Sequence, residues 1–187
     1  MIFDKKALTF INKPAIMGTT NKGGLFMKQR TLSLWLKAAI SVFTAIVIIS
    51  YALFIPYVAG REFFLNIYPE LKSWYMPWIV YIGLTAIPIL AAMVRSWQIA
   101  KNIEKDNSFC HANAKFMRDI GLCAFADSVY FVIGGVIMLL LNRSHPAVFM
   151  VSMTFVVIGL VVSVAAAGLA RLIENAACMK EENDSFV

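Results

Sequence analysis

Charge is scarce in this sequence, and where it occurs it avoids four long stretches. Charged residues make up 15% of the 187 residues against a hydrophobic share of 60%, whereas an ordinary soluble domain carries roughly 25% charge. The mean hydropathy is +0.72. A soluble chain this greasy exposes large apolar patches and aggregates, so a bilayer is the fitting solvent. Also lacking is any segment outside the apolar stretches that is long enough to bury a core of its own. The longest is residues 1–37, and domains below about 40 residues usually need staples. That excludes a hidden soluble catalytic or DNA-binding domain, and no direct contact with nucleic acid is expected.

Cysteine is sparse too. Cys110, Cys123 and Cys178 form no CxxC or similar spacing, and the topology below puts them on or near the cytoplasmic side, where thiols stay reduced. A structural disulfide is not expected. A metal site can be drawn from Cys110, His111 and Cys178; read plainly, they are incidental, and Cys123 is a small core hydrophobe. His111 and His145 fall on opposite sides of the membrane. The chain has no Ser-His-Asp set, no His-Glu-x-x-His helix and no phosphate-binding glycine loop. No cofactor or metal is expected.

What is present is four apolar runs. A helix needs about 20 apolar residues to cross roughly 30 Å of hydrocarbon. Residues 38–58, 76–94, 120–141 and 147–170 each meet that length, and the only charge in them is Asp127. Trp74, Tyr75 and Trp78 open the second run at interfacial depth. Within it, Pro77 suits a first helical turn, while Pro88 is expected to kink the helix. Residues 1–37 hold seven Lys and Arg, residues 95–119 hold five and the tail holds Arg171 and Lys180. The opposite side holds Arg61, Lys72 and Arg143. Fourteen against three predicts that both termini face the cytoplasm. The expected class is all-α: a polytopic plasma-membrane protein, its four transmembrane helices arranged as two parallel-related hairpins with cytoplasmic helical extensions. Residues 1–26 lack the continuous apolar run of a secretory signal. Pro14, Gly18, Gly23 and Gly24 argue for a disordered basic arm resting on anionic lipid. Met27 opens Met-Lys-Gln-Arg, which reads as a natural start just before the first span and begins the membrane domain, 27–187.

The hairpins share a faint repeat. Glu104-Lys-Asp-Asn-Ser-Phe109 aligns with Glu181-Glu-Asn-Asp-Ser-Phe186 at a constant offset of 77, which implies a pseudo-twofold axis along the membrane normal. After Arg95, Ile99 and Ile103 share one face of an amphipathic extension. Asp106-Asn107-Ser108 then breaks the helix, with Ser108 as N-cap of the next. In that next helix Phe109, Ala112, Phe116, Ile120 and Cys123 form an apolar stripe.

The run Arg95 to Ile103-Glu-Lys-Asp-Asn-Ser-Phe109, then Asn113, then Arg118-Asp-Ile-Gly121 resembles the YoaS-like bacterial membrane proteins (domain of unknown function 2975). The segment Leu172 to Asp184 is similar to that family's closing segment, although this chain ends Ser185-Phe186-Val187. The resemblance extends over roughly residues 27 to 187. It implies four spans and bacterial origin, a small helix-turn-helix regulator as cytoplasmic partner, and no known activity.

Three candidate sites follow. Asp127 is an intramembrane carboxylate, rare and by default functional. It either pairs with Arg95 or Arg171 at the matching depth of spans two and four, serves as an ion or ligand site, or snorkels. Gly159, Ser163 and Ala167 recur every four residues in span four and let another helix approach closely, either within the bundle or across a homodimer. Glu104, Asp106, Glu181 and Glu182 make an acidic cluster on the extensions, either a solvated face or a docking site for a basic partner. Apart from the lipid bilayer, the expected role is that of a non-enzymatic sensor or sequestering partner of a cytoplasmic regulator. A small transporter or self-protection protein, with Asp127 in a polar path, is the alternative. A lone carboxylate offers no acid and base pair.

Overall fold

The computed structural model describes residues 20–61, 66, 69–144 and 146–185. Among them there is no strand. Helix α1, Thr20–Ile49, passes into a π-helical segment, Ser50–Arg61. A 3-10 turn, Pro69–Trp74, leads into α2, Tyr75–Leu84. Helix α3 covers Ala86–Glu104, α4 covers His111–Leu140 and α5 covers Pro146–Ser185. Four stretches are long and apolar enough to span a bilayer: Arg30–Tyr57, Lys72–Glu104, His111–Leu140 and Pro146–Ser185. They coincide with the four expected runs, the first and third of which extend one residue further, to Val58 and Leu141. Residues 1–19 of the expected arm and His145 lie outside the described residues. The rest of the arm is a correction, because α1 reaches back through Gly24 and Gly23 to Thr20. A glycine inside a helix costs only about 1 kcal/mol, too little to stop a helix already nucleated by the span.

Prolines interrupt both spans of the first hairpin. Pro56 has no N–H to donate and lies inside the π-helical segment, whose wider ring is rare and tends to occur at functional positions. Pro88 breaks the second span where its ring meets the carbonyl of Leu84: α2 ends at Leu84 and α3 starts at Ala86. Thr85, buried between them, donates its hydroxyl to Ile82 O at 2.6 Å.

Helix α5 packs along α4, α4 packs on α3, and α3 packs on α1. The seam between α4 and α5 is lined by small residues. A side chain added at Gly121 would sit 3.2 Å from the Ser163 carbonyl and 3.3 Å from Ala166 Cβ. One added at Gly159 would collide with the Ser128 hydroxyl. The small-residue face of Gly159 and Ser163 is therefore turned onto α4, while Ala167 is exposed. The apolar stripe expected for α4 is corrected: Phe109 is 56% exposed and Ala112 is exposed. The buried face is instead Asn113, Ala114, Gly121, Ser128 and Gly135. Lipid is as apolar as leucine, so large side chains gain nothing by turning inward and small ones admit the neighbouring backbone.

The turns between helices are sharply made. After α3, Asn107 N–H donates to Asn102 O and Asp106 N–H to Ile103 O, with Asp106 at φ 58°. After α4, Arg143 N–H donates to Met138 O and Asn142 N–H to Leu139 O, with Asn142 at φ 55°. Both are Schellman closures in which Asp and Asn take the left-handed position that glycine usually fills. Ser108, the expected N-cap of α4, does not cap it; the N-cap is Cys110, with no side-chain bond. The two copies of the repeat also differ, since α5 stays helical through Ser185 whereas α3 stops at Glu104.

Candidate intramembrane site and its charged end

Between the middle of the spans and the α4–α5 turn lies a cavity of about 610 Å³ to which all four spans contribute. Ser50, Tyr51 and Ile55 come from the π-helical segment, Trp78 and Ile82 from α2, Ile89 from α3, Asp127, Ser128 and Phe131 from α4, and Ser152 and Phe155 from α5. Tyr51 and Thr85 hydroxyls meet at 2.6 Å; since Thr85 gives its proton to Ile82 O, Tyr51 is the donor. Ser128 and Ser152 donate back to Ala124 O and Val148 O at 2.9 and 2.8 Å. Asp127 Oδ1 is buried and has no hydrogen-bond partner among the described residues.

Next to the cavity, away from the charged helix ends, stands an aromatic layer. Tyr81 donates to Phe131 O at 2.9 Å and Tyr130 to Tyr81 O at 3.1 Å. The Trp78 and Tyr81 rings meet edge to face at 5.8 Å. Gly134 is in contact with the Tyr81 ring, with no room there for a side chain. Trp78 Nε1 donates to Arg143 O, and the Arg143 guanidinium lies 5.0 Å over the Trp74 ring.

Asp127 does not pair with Arg95 or Arg171, and this corrects the sequence expectation. Arg95 Nε meets Asp119 Oδ2 at 3.1 Å, its Nη1 donates to Gln98 at 3.0 Å, and it stacks over Phe116 at 5.4 Å. Asp119 precedes Asp127 by eight residues, roughly 12 Å along a helix, so one arginine cannot serve both. Arg171 is exposed.

The charged ends of the helices are tied in series. Lys37 of α1 pairs with Glu104 of α3 and lies 5.9 Å over the Trp97 ring. Arg95 joins α3 to α4. His111 of α4 holds two carboxylates of α5, Glu174 by Nδ1 at 2.8 Å and Glu181 by Nε2 at 3.1 Å. Two carboxylates on two ring nitrogens call for a proton on each, and the bonds to Glu174 and then Glu181 raise the His111 pKa above its ordinary 6.5. The bond from Lys37, and then its charge, lower the Glu104 pKa. Beneath these pairs Asn113, 1% exposed, clamps the α3–α4 turn. It accepts from Asn102 Nδ2 at 2.7 Å and donates to Ser108 O at 2.8 Å and Asn107 O at 3.3 Å.

Of the expected acidic cluster, Glu104 and Glu181 are therefore engaged within the fold, while Asp106 and Glu182 are exposed. The sequence did not single out Lys37, Asp119, Asn113 or Glu174 as site residues, and it weighed His111 only as a metal ligand. Lys37 and Asp119 directly border an apolar run, and Asn113 stands two turns outside one and shows otherwise only as a residue of the family pattern.

Residues 63–187 match the family described as a protein of unknown function (DUF2975). The chain belongs to that family. It is also 26% identical over 164 residues to the uncharacterized membrane protein YoaS of Bacillus subtilis (strain 168), an alignment covering 85% of this chain and 99% of the relative. No solved structure matches. The chain is an all-helical membrane protein of a family without established activity.

Proposed function

We propose that this protein is a non-enzymatic sensor of the plasma membrane, or a sequestering partner there, with both termini in the cytoplasm, passing a membrane-side condition to a cytoplasmic regulator. The observation that carries this reading is the latched stalk at the basic end. Helix α5 has 40 residues, about 60 Å at 1.5 Å per residue, twice the roughly 30 Å of the hydrocarbon core. Its far end is bound to α4 through His111, α4 to α3 through Arg95, and α3 to α1 through Glu104. A shift of any span is thereby conveyed to the others. Glu182 stays exposed on that stalk and Asp106 on the α3–α4 turn, which supports docking of a basic partner such as a helix-turn-helix regulator.

The test is a cross-linked pull-down from native membranes with the wild-type chain and with Asp106→Lys combined with Glu182→Lys. A partner recovered with the wild type and lost with the charge reversal is the expected result. Identical eluates sink the docking reading. The cavity around Asp127 favours a second reading, a small transporter or self-protection protein with the carboxylate in a polar path.

A further inference from the structure

We propose that the cavity holding Asp127 binds a lipophilic organic cation, its ammonium group on the carboxylate and its apolar body among Trp78, Phe131 and Phe155. This deepens the second reading, but asks only for binding. The sign of the ligand follows from the lining, in which Asp127 is the one charged residue among those described. Its Oδ1 is buried without a hydrogen-bond donor among the described residues. Such an atom carries its full desolvation penalty until a donor arrives, and carboxylates at membrane depth otherwise pair with a basic group. The arginine best placed on α3 is held by Asp119 instead. An ammonium group supplies both the charge and the donors.

The rest of the cavity decides what the ammonium is attached to. About 610 Å³ is the size of pockets that take small organic molecules, which are mostly apolar with a few placed polar groups. The rings of Trp78, Phe131 and Phe155 line it, and an aromatic face attracts a desolvated cation. A bare metal ion would need six or so oxygen ligands to replace its hydration shell. The walls offer one carboxylate and a few hydroxyls, of which Ser128 and Ser152 already donate to their own helices. Those hydroxyl lone pairs remain free to accept a second ammonium N–H.

The experiment uses the full chain in nanodiscs of zwitterionic lipid, with dansylcadaverine as a fluorescent primary amine and its N-acetylated form as the uncharged control. The amine is expected to bind saturably and at least about tenfold more tightly than the control, about 1.4 kcal/mol. Asp127→Asn is expected to abolish that difference and Asp127→Glu to retain it. Ser152→Phe fills the cavity while leaving the carboxylate in place, and is expected to weaken the amine by about tenfold as well. Equal binding of amine and control overturns the proposal, as does partitioning into lipid without saturation. Undiminished amine binding by folded Asp127→Asn overturns it too. If Asp127→Asn fails to fold, undiminished binding by Ser152→Phe does the same. The readout involves no partner protein and no transport, so its failure leaves the stalk reading intact, and loss of a partner in the pull-down leaves the cavity untouched.

Discussion

Asn113 illustrates what a single polar side chain does under a membrane helix. It is almost wholly buried and joins Asn102 of α3 to two carbonyls of the turn that follows. Truncation leaves those groups without their partner, and an unsatisfied buried polar group costs about 1–3 kcal/mol. Asn113→Ala should therefore lower the unfolding temperature in detergent. Asn113→Asp should lower it at least as far, because a carboxylate cannot donate to Asn107 O and Ser108 O and faces them with like partial charge. A thermal scan in which the Asp variant matches the wild type would remove Asn113 from this role. The sequence shows Asn113 only as one residue of a short family pattern. Its hydrogen bonds depend on Asp106 turning to φ 58°, which no spacing rule encodes. Asp127 was legible as an unusual carboxylate, but its partner was not. Arg95 directly follows the apolar run of its span, yet the break at Thr85 and the packing of α3 on α4 set it level with Asp119.

At the scale of elements, the four spans could be read from the sequence because hydrocarbon imposes a length and forbids charge. The inward faces could not, because amphipathic patterning assumes that water surrounds the molecule. Helix α4 turns Asn113, Gly121 and Ser128 inward and leaves Leu122, Phe125 and Ile133 exposed, the reverse of the soluble rule. Beyond the membrane the ordinary rules return, and the junction of α4 with α5 is pH-dependent. His111 has a raised pKa because Glu174 and Glu181 favour its charged form. A group whose folded pKa is raised contributes its stability fully below its unfolded pKa, near 6.5, and loses it as pH rises through the folded value. The gap in unfolding temperature between the wild type and His111→Ala should thus be widest near pH 6 and close toward alkaline pH. It should also shrink in high salt, since the imidazole is exposed and screened. Unfolding curves of the two proteins that run parallel from acid to alkaline pH would show that the ion pairs add nothing.

For the whole molecule, the distribution of charge and the latched stalk make one prediction together. Lys37, Arg95 and His111 each bridge two helices, so the ends of α1, α3, α4 and α5 that carry them lie on the same side. Among the described residues that side bears eleven Lys and Arg against three toward the other, and short loops rich in these residues stay in the cytoplasm. Lys72 and Lys105, both exposed, stand toward opposite ends of the second span and report the two sides. With Cys110, Cys123 and Cys178 replaced by Ser, a cysteine at Lys72 should react with an impermeant maleimide on intact cells. A cysteine at Lys105 should react only after permeabilisation, and so should one at Arg30, because the bond between Lys37 and Glu104 ties the ends of α1 and α3 together. External labelling at both Lys105 and Arg30 would invert the topology and put the stalk out of reach of any cytoplasmic regulator. Labelling of those two positions from different sides would be more damaging, since it would break the series of ion pairs on which the sensing proposal depends.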